Sequence, residues 1–309
     1  MVRPLKNMAE IAVIGGGLAG LSAALHAARL GRLVTLFEGS GIYGGLVATV
    51  DEVDGLGVPG HLSGQEVAMH LLEQAQKRGV QVVEWSASSV ELGPRITLTT
   101  DEGKTCHPDT LIVATGARLR RLGVPGEEAF AGRGVSRCAT CDGGFFRGKD
   151  VAVIGSGDAA VTEALVLAKT SRKVVMVCRG PLKAKPVYVN RLADRENVEF
   201  VWDSEVREIR GEAGVTALAL HNVRSGEYSE VAVSGVFPFI GVEPVSGFLP
   251  PAMVAESGHV LADAATATAD PRVFAAGAVR LGYQGNTAQA MGEGIAAAEG
   301  AARLLAGRA

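Results

Sequence analysis

Cys138-Ala-Thr-Cys141-Asp142 carries the most specific chemistry in the sequence. Two thiols at this spacing can close a small disulfide ring, and the N-terminal sulfur of such a pair is usually the more reactive. Asp142, directly after the pair, is placed to move protons for whichever thiolate forms or leaves. A zinc site is the competing use of a Cys-x-x-Cys, and it needs two further ligands. Cys106, next to His107, and Cys178 are isolated, and His26, His61, His70, His221 and His259 form no cluster. His26 falls inside a predicted helix, where packing is its expected role. Thiol redox chemistry is the stronger reading, with no metal.

Such a pair needs a scaffold, and the sequence contains one twice. Residues 10–39 and 150–180 each run from a short apolar β-branched stretch through a glycine-rich turn and an apolar-spaced helix into a second apolar stretch. Gly15, Gly17 and Gly20 have the Gly-x-Gly-x-x-Gly spacing. The first glycine permits the tight turn, the second lets a pyrophosphate approach the backbone, and the third lets helix and strand pack closely. Phosphate charge then faces the helix N-terminus. Glu38, 23 residues past Gly15, ends the second strand, where a carboxylate can bind ribose hydroxyls. The second unit carries Gly155, Gly157 and Ala160, but its equivalent of Glu38 is Cys178, followed by Arg179. An arginine there can accept a 2′-phosphate, which leans towards NADP over NAD. A ligand-free unit kept for structure is the alternative.

Further strands are expected at 110–115, 231–240 and 272–277, and amphipathic helices at 65–78 and 289–305. With 309 residues, 47% hydrophobic and 20% charged, the chain is long enough for about two domains with proper cores. The net charge of −3 and the lack of a basic patch argue against nucleic acid as a partner. No apolar run is long and uninterrupted enough for a membrane helix. Arg3 and Lys6 before the apolar stretch 11–30 superficially resemble a secretion signal. The glycine fingerprint explains that stretch better, so residues 1–7 are expected to be a loose tail ahead of an internal start near Met8. The expected compartment is cytoplasmic, and four cysteines with a single Cys-x-x-Cys agree with it.

Taken together, these motifs resemble the low-molecular-weight thioredoxin reductase family over nearly the whole chain. The resemblance rests on GGGLAG at 15–20, Gly44-Gly45-Leu46, LIVATG at 111–116, CATCDG at 138–143, GSGDAAVTEA at 155–164 and VFAAG at 273–277. It implies an α/β fold of two Rossmann-like dinucleotide-binding domains, the second inserted into the first. An FAD domain would comprise residues 1–116 and 241–309, and a pyridine-nucleotide-type domain 117–240 would carry the cysteines. FAD contacts are implied for Gly15, Gly17, Gly20, Glu38, Gly45, Leu46, Gly116, Gly277 and Asn286. Contacts to the second nucleotide are implied for Gly155, Gly157, Ala160 and Arg179. The resemblance further implies that Cys141 lies over the flavin and Cys138 attacks a thioredoxin-like partner's disulfide. It also implies that the inserted domain swivels between the two encounters and that the protein is a homodimer.

Two departures bear on the electron donor. The family's second unit usually presents His-Arg-Arg and a further Arg to the 2′-phosphate. This chain has Cys178-Arg179-Gly180 and Ala184, with Lys183 and Lys185 as stand-ins that lack the bidentate grip. The C-terminal flavin segment, usually Gly-Asp followed by Arg-Gln-Ala, reads Gly277-Ala278 and Gly285-Asn286-Thr287, with Tyr283 expected in an exposed loop. The expected function is FAD-dependent reduction of a thioredoxin-like disulfide through Cys138 and Cys141. The donor is NADPH, or else ferredoxin or a second flavin. The alternative is a dithiol oxidase that passes electrons to oxygen.

Overall fold

The computed structural model describes residues 10–53 and 62–307. The tail 1–7, Met8 and His61 lie outside the described residues. The chain begins with β1 (Ile11–Ile14), α1 (Leu18–Arg29), β2 (Val34–Phe37), α2 (Gly64–Lys77) and β3 (Gln81–Val83). It continues with β4 (Ala87–Leu92), β5 (Ile96–Thr100), β6 (Thr105–Cys106), β7 (Thr110–Val113) and β8 (Ala117–Leu119). Next come α3 (Ala139–Asp142), β9 (Asp150–Ile154), α4 (Asp158–Ala168), β10 (Lys173–Cys178), α5 (Pro186–Ala193) and β11 (Val198–Trp202). The last elements are β12 (Ser204–Gly211), β13 (Val215–Asn222), β14 (Tyr228–Ala232), β15 (Gly235–Pro238), β16 (Val242–Pro244), β17 (Val273–Ala275) and α6 (Thr287–Ala306).

These elements form two compact units, one of residues up to 118 and from 244 onwards, the other of 119–243. In the first unit a parallel sheet runs in the order β17-β7-β1-β2-β3. The runs IAVI, VTLF and TLIV are buried at every position, as strands must be when both faces of a sheet are covered. One face packs on α1, α2 and α6 through Leu21, Leu36, Leu72 and Ile112. The other buries Phe37, Leu98, Leu111 and Val260 against the antiparallel sheet β4-β5-β6. Helices α1 and α6 approach closely because a Cβ at Gly294 would overlap the Ala19 carbonyl oxygen. Ser63 and Glu66 close a capping box that starts α2. His26 is not merely packed, because its Nε2 lies 2.8 Å from Glu299 Oε1 and ties α1 to α6.

The second unit repeats the plan with a parallel sheet, β11-β10-β9-β15. One face packs on α4 and α5 through Val153, Val161, Leu167 and Met176. The opposite face meets the antiparallel sheet β12-β13-β14 through Ile154, Val177, Leu218 and Leu220. The single strand expected over 231–240 is instead two strands in different sheets. Val231 and Ala232 end β14, and the chain then turns at Val233-Ser234 into β15. Ser234 N–H bonds to Asp150 O, and Phe146 fills the space a Cβ at Gly235 would need, so the second half is pulled to β9. Among the described residues no helix is long and apolar enough to cross a membrane.

Candidate active site

Cys138 and Cys141 are joined as a disulfide across the one-turn helix α3, with Cα atoms 5.3 Å apart. Cys138 caps that turn, and its Sγ accepts from the Cys141 N–H at 3.0 Å. Cys138 is buried in this oxidised form, whereas Cys141 is exposed. Asp142, the carboxylate singled out beside the pair, accepts the Ser136 hydroxyl at 2.6 Å. That same hydroxyl oxygen accepts the Cys138 N–H at 3.2 Å, so one serine links the acid to the backbone of the first cysteine. A second carboxylate lies under the turn. Glu163 of α4, buried, accepts the Ala139 N–H at 2.6 Å. Burial pushes its pKa up to about 7, with the Ala139 N–H pulling the other way.

After the turn, two phenylalanines take opposite roles. Phe146 is buried and meets Phe237 edge to face at 5.3 Å, which anchors the segment to β15. Phe145, four residues past Cys141, is 75% exposed. Ahead of the turn, Arg137 reaches the buried carboxylate of Glu127 at 3.3 Å. Cys106 and Cys178 are buried free thiols whose pKa is raised by burial to about 11, so they stay protonated and inert at neutral pH. No group of metal-binding side chains occurs among the described residues.

In the first unit, the loops leaving the C-terminal ends of β1, β2, β7 and β17 carry Gly15, Glu38, Gly116 and Gly277. That edge of a parallel sheet is where α/β folds bind ligands. Gly15 has φ +106°, and a Cβ there would collide with Ala114. A Cβ at Gly20 would overlap the Gly15 carbonyl oxygen, so the glycine holds α1 against β1. A Cβ at Gly17 would meet nothing within 4 Å. Gly17 caps α1 without a side-chain acceptor, which leaves the helix's first N–H groups for a ligand. Glu38 is held in place, with Oε2 accepting the Gly16 N–H at 2.7 Å and Oε1 the Ser40 N–H at 2.8 Å. Gly44 N–H bonds to Gly16 O, setting Gly45 and the exposed Leu46 beside the same turn.

Gly277 N–H donates to Glu293, which also pairs with Arg280. Asn286 caps α6 by accepting from Ala288 and Gln289, a structural use of its side chain. Tyr283 is not an exposed loop residue. It packs against the core of the unit, its hydroxyl donates to Asn286 O at 2.8 Å, and burial raises its pKa.

The second glycine turn has the same geometry. Gly155 has φ +137° under the Phe239 carbonyl, Gly157 caps α4 without a side-chain acceptor, and Ala160 is fully buried against the strand. Arg179 is exposed just past β10, while the Cys178 thiol points inward and donates to Gly155 O at 3.3 Å. Lys185 is committed elsewhere, with its Nζ 3.3 Å from Asp158 and its N–H on the same carboxylate at 2.7 Å.

A disulfide on a short turn, beside a glycine turn fit for a dinucleotide and in a chain with a second such turn, is the arrangement of a thiol redox enzyme. The family model described as pyridine nucleotide-disulphide oxidoreductase matches residues 9–299. The chain belongs to that family. Within it, the chain is a disulfide oxidoreductase of the low-molecular-weight thioredoxin reductase type. It is 36% identical to the thioredoxin reductase of Treponema pallidum, over 96% of this chain and 97% of that one. It is 38% identical to the bifunctional thioredoxin reductase/thioredoxin of Mycobacterium leprae, where it spans 66% of the relative's length. The crystal structure of Lactococcus lactis thioredoxin reductase in its FR conformation superposes with a TM-score of 0.93 at 32% identity, covering 97% of this chain and 99% of that one. Both α/β units belong to this family's two dinucleotide-binding domains.

Ser136, Glu163 and Phe145 were not singled out by sequence reasoning. Phe145 alone had a local signal, as one of two adjacent aromatics just past the cysteine pair.

Proposed function

We propose that the chain reduces the disulfide of a thioredoxin-like protein through Cys138 and Cys141, with FAD bound at the first glycine turn. The observation that carries this reading is the Cys138–Cys141 disulfide, held on a turn that precedes an exposed phenylalanine and linked through Ser136 to a carboxylate. Full-length relatives named as reductases favour reduction over the oxidase alternative.

FAD supplies two-electron transfer between a donor and the disulfide. Its fit rests on the space above Gly17, the open N-terminus of α1 and the oriented carboxylate of Glu38. Gly45, Leu46, Gly116 and Gly277 would line the same edge, and Asn286 would contribute chiefly by capping α6. The unit of residues up to 118 and from 244 onwards is thus assigned to FAD, and that of 119–243 to the donor and the cysteines.

In the reduced form, the Cys138 thiolate attacks one sulfur of the partner's disulfide. The partner's other sulfur leaves as a thiolate, and Asp142 relays to it the proton of the Cys141 thiol. The Cys141 thiolate then attacks Cys138, which restores the ring and frees the partner's second sulfur. Cys138 is buried while oxidised, so its attack requires exposure after reduction. Phe145 offers an apolar contact to a partner at this point.

Arg179 is the remaining arginine for a 2′-phosphate, and Lys185 is held by Asp158. NADPH is therefore a poor donor in this reading, and ferredoxin or a second flavin at Gly155, Gly157 and Ala160 takes its place. The protein is assigned as a cytoplasmic homodimer. Anaerobic titration of the flavin-loaded protein with NADPH, NADH and reduced ferredoxin, followed by thiol counting on oxidised thioredoxin, tests both parts. Failure of every reduced form of the protein to release thioredoxin thiols would refute the reading.

A further inference from the structure

Glu163 has no assigned part in the chemistry above, yet its carboxylate sits within the redox turn. Its Oε2 lies 2.6 Å from Ala139 N, and Ala139 directly follows Cys138. Covalent geometry then keeps that oxygen within roughly 8 Å of the Cys138 sulfur, however the side chains point. A buried carboxylate is costly in its charged form, and a new thiolate at this range opposes that charge further. We propose that Glu163 is a positioning residue of the redox centre: it orients the turn through Ala139 and takes up one proton when the Cys138–Cys141 disulfide is reduced, returning it on re-oxidation.

The step balances. Two electrons, from the reduced flavin of the proposed function or from a dithiol reductant, break the S–S bond. One sulfur takes a proton as the thiol, the other stays a thiolate, and the carboxylate takes the second proton. Disulfide, carboxylate, two electrons and two protons thus become thiol, thiolate and carboxylic acid. The two titrations are coupled, so the thiolate form of the pair and the neutral form of Glu163 are favoured together.

The other ionisable groups around Glu163 have separate engagements. On α4 itself, Asp158 is paired with Lys185, and Lys169 follows the helix's last residue. On α3, Asp142 accepts from Ser136. On β9 and β10, Asp150 is held by Arg172, Lys173 pairs with Glu199, and the Cys178 thiol donates to Gly155 O. On α5, Tyr188 lies 5.8 Å from the Lys185 ammonium, and Arg191 is exposed. Burial already places the Glu163 pKa at about 7 in the disulfide form, so the extra proton is taken up above neutral pH.

The test equilibrates the full-length, flavin-loaded protein with dithiothreitol buffers from about pH 6 to about pH 9. Acid quenching and alkylation then give the reduced fraction of the peptide carrying Cys138 and Cys141. Because the reductant acts directly on the disulfide, the result does not depend on the thioredoxin partner or the physiological donor. Below about pH 7 the exchange with dithiothreitol releases one proton, so the parent's equilibrium constant should rise about tenfold per pH unit; above it Glu163 takes that proton up and the constant should level off. Glu163→Gln should keep rising through about pH 7 with no break, and Asp142→Asn should keep the break. A profile unchanged in Glu163→Gln, or a break lost only in Asp142→Asn, overturns the proposal. Should Glu163→Gln fail to fold, infrared difference spectra of the parent decide. Reduction at about pH 8 should produce a protonated-carboxyl band, and its absence overturns the proposal equally.

Discussion

Replacing Gly17 by alanine separates cofactor binding from folding. Gly17 has φ −73° and ψ 177°, an extended backbone open to any residue, and a Cβ there would meet nothing within 4 Å. The folding cost is limited to alanine's weaker N-capping, about 0.5–1 kcal/mol. The added methyl does occupy the surface on which a pyrophosphate would rest. Displacing the phosphate removes at least one charge-assisted hydrogen bond from the α1 N–H groups, worth about 1.5–3 kcal/mol. FAD affinity should therefore fall by about 10- to 150-fold. Gly20→Ala is the contrasting change. Its Cβ would overlap the Gly15 carbonyl oxygen in a packed core, costing about 3 kcal/mol or more in stability. Titration of apoprotein with FAD by fluorescence, alongside chemical denaturation of both variants, reads the two effects separately. Parent-like FAD affinity in Gly17→Ala, or parent-like stability in Gly20→Ala, would refute the geometry assigned to this turn.

Three further outcomes follow from the second unit and the cysteines. Glu163 has its folded pKa raised from 4.5 to about 7, so the native state holds more protons than the unfolded state between these values. Its stabilising contribution is full below the unfolded value and is lost as pH rises through about 7, a decline of about 3 kcal/mol. Glu163→Gln should escape that decline and be the more stable protein at about pH 8, with the difference shrinking towards about pH 5; denaturation midpoints at the two pH values check the sign. Iodoacetamide at about pH 8 should label neither Cys106 nor Cys178 in the folded protein, since thiols with a pKa near 11 are about 0.1% ionised there, whereas prior reduction should open Cys138 and Cys141 to labelling. Gly180 has open space around its Cα, so Gly180→Arg should fold normally and tighten NADPH binding by about tenfold or more, measured by calorimetry; unchanged affinity would show that the 2′-phosphate does not reach this loop.

Much of the scaffold was legible because its signals are local. At Gly15 and Gly155 the backbone has positive φ and a Cβ would strike a carbonyl or its neighbours, so only glycine fits and the spacing betrays the turn. The fully buried four-residue strands read as unbroken apolar runs, and the helices expected at 65–78 and 289–305 are observed within two residues. What escaped depends on residues far apart in the chain. Glu163 reaches Ala139 across 24 positions, and His26 reaches Glu299 across 273, with no pattern to link either pair. The stretch 231–240 is continuously apolar enough to read as one strand. Its division between two sheets is decided by Phe146 and Asp150, which lie about 80 residues upstream. Tyr283 sits in a glycine-rich loop, and only the fold reveals that it packs inward.

The central claim is that Cys138, once reduced, attacks a partner's disulfide and Cys141 resolves the product. The direct measurement is covalent trapping. Cys141→Ser leaves the attacking sulfur but removes the resolving one, so reduction of this variant followed by oxidised thioredoxin should accumulate a mixed disulfide. Peptide mass spectrometry should place that bond on Cys138, and the Cys138→Ser variant should trap far less under the same conditions. Trapping on Cys141 in preference to Cys138, or no covalent adduct in either variant, would contradict the account.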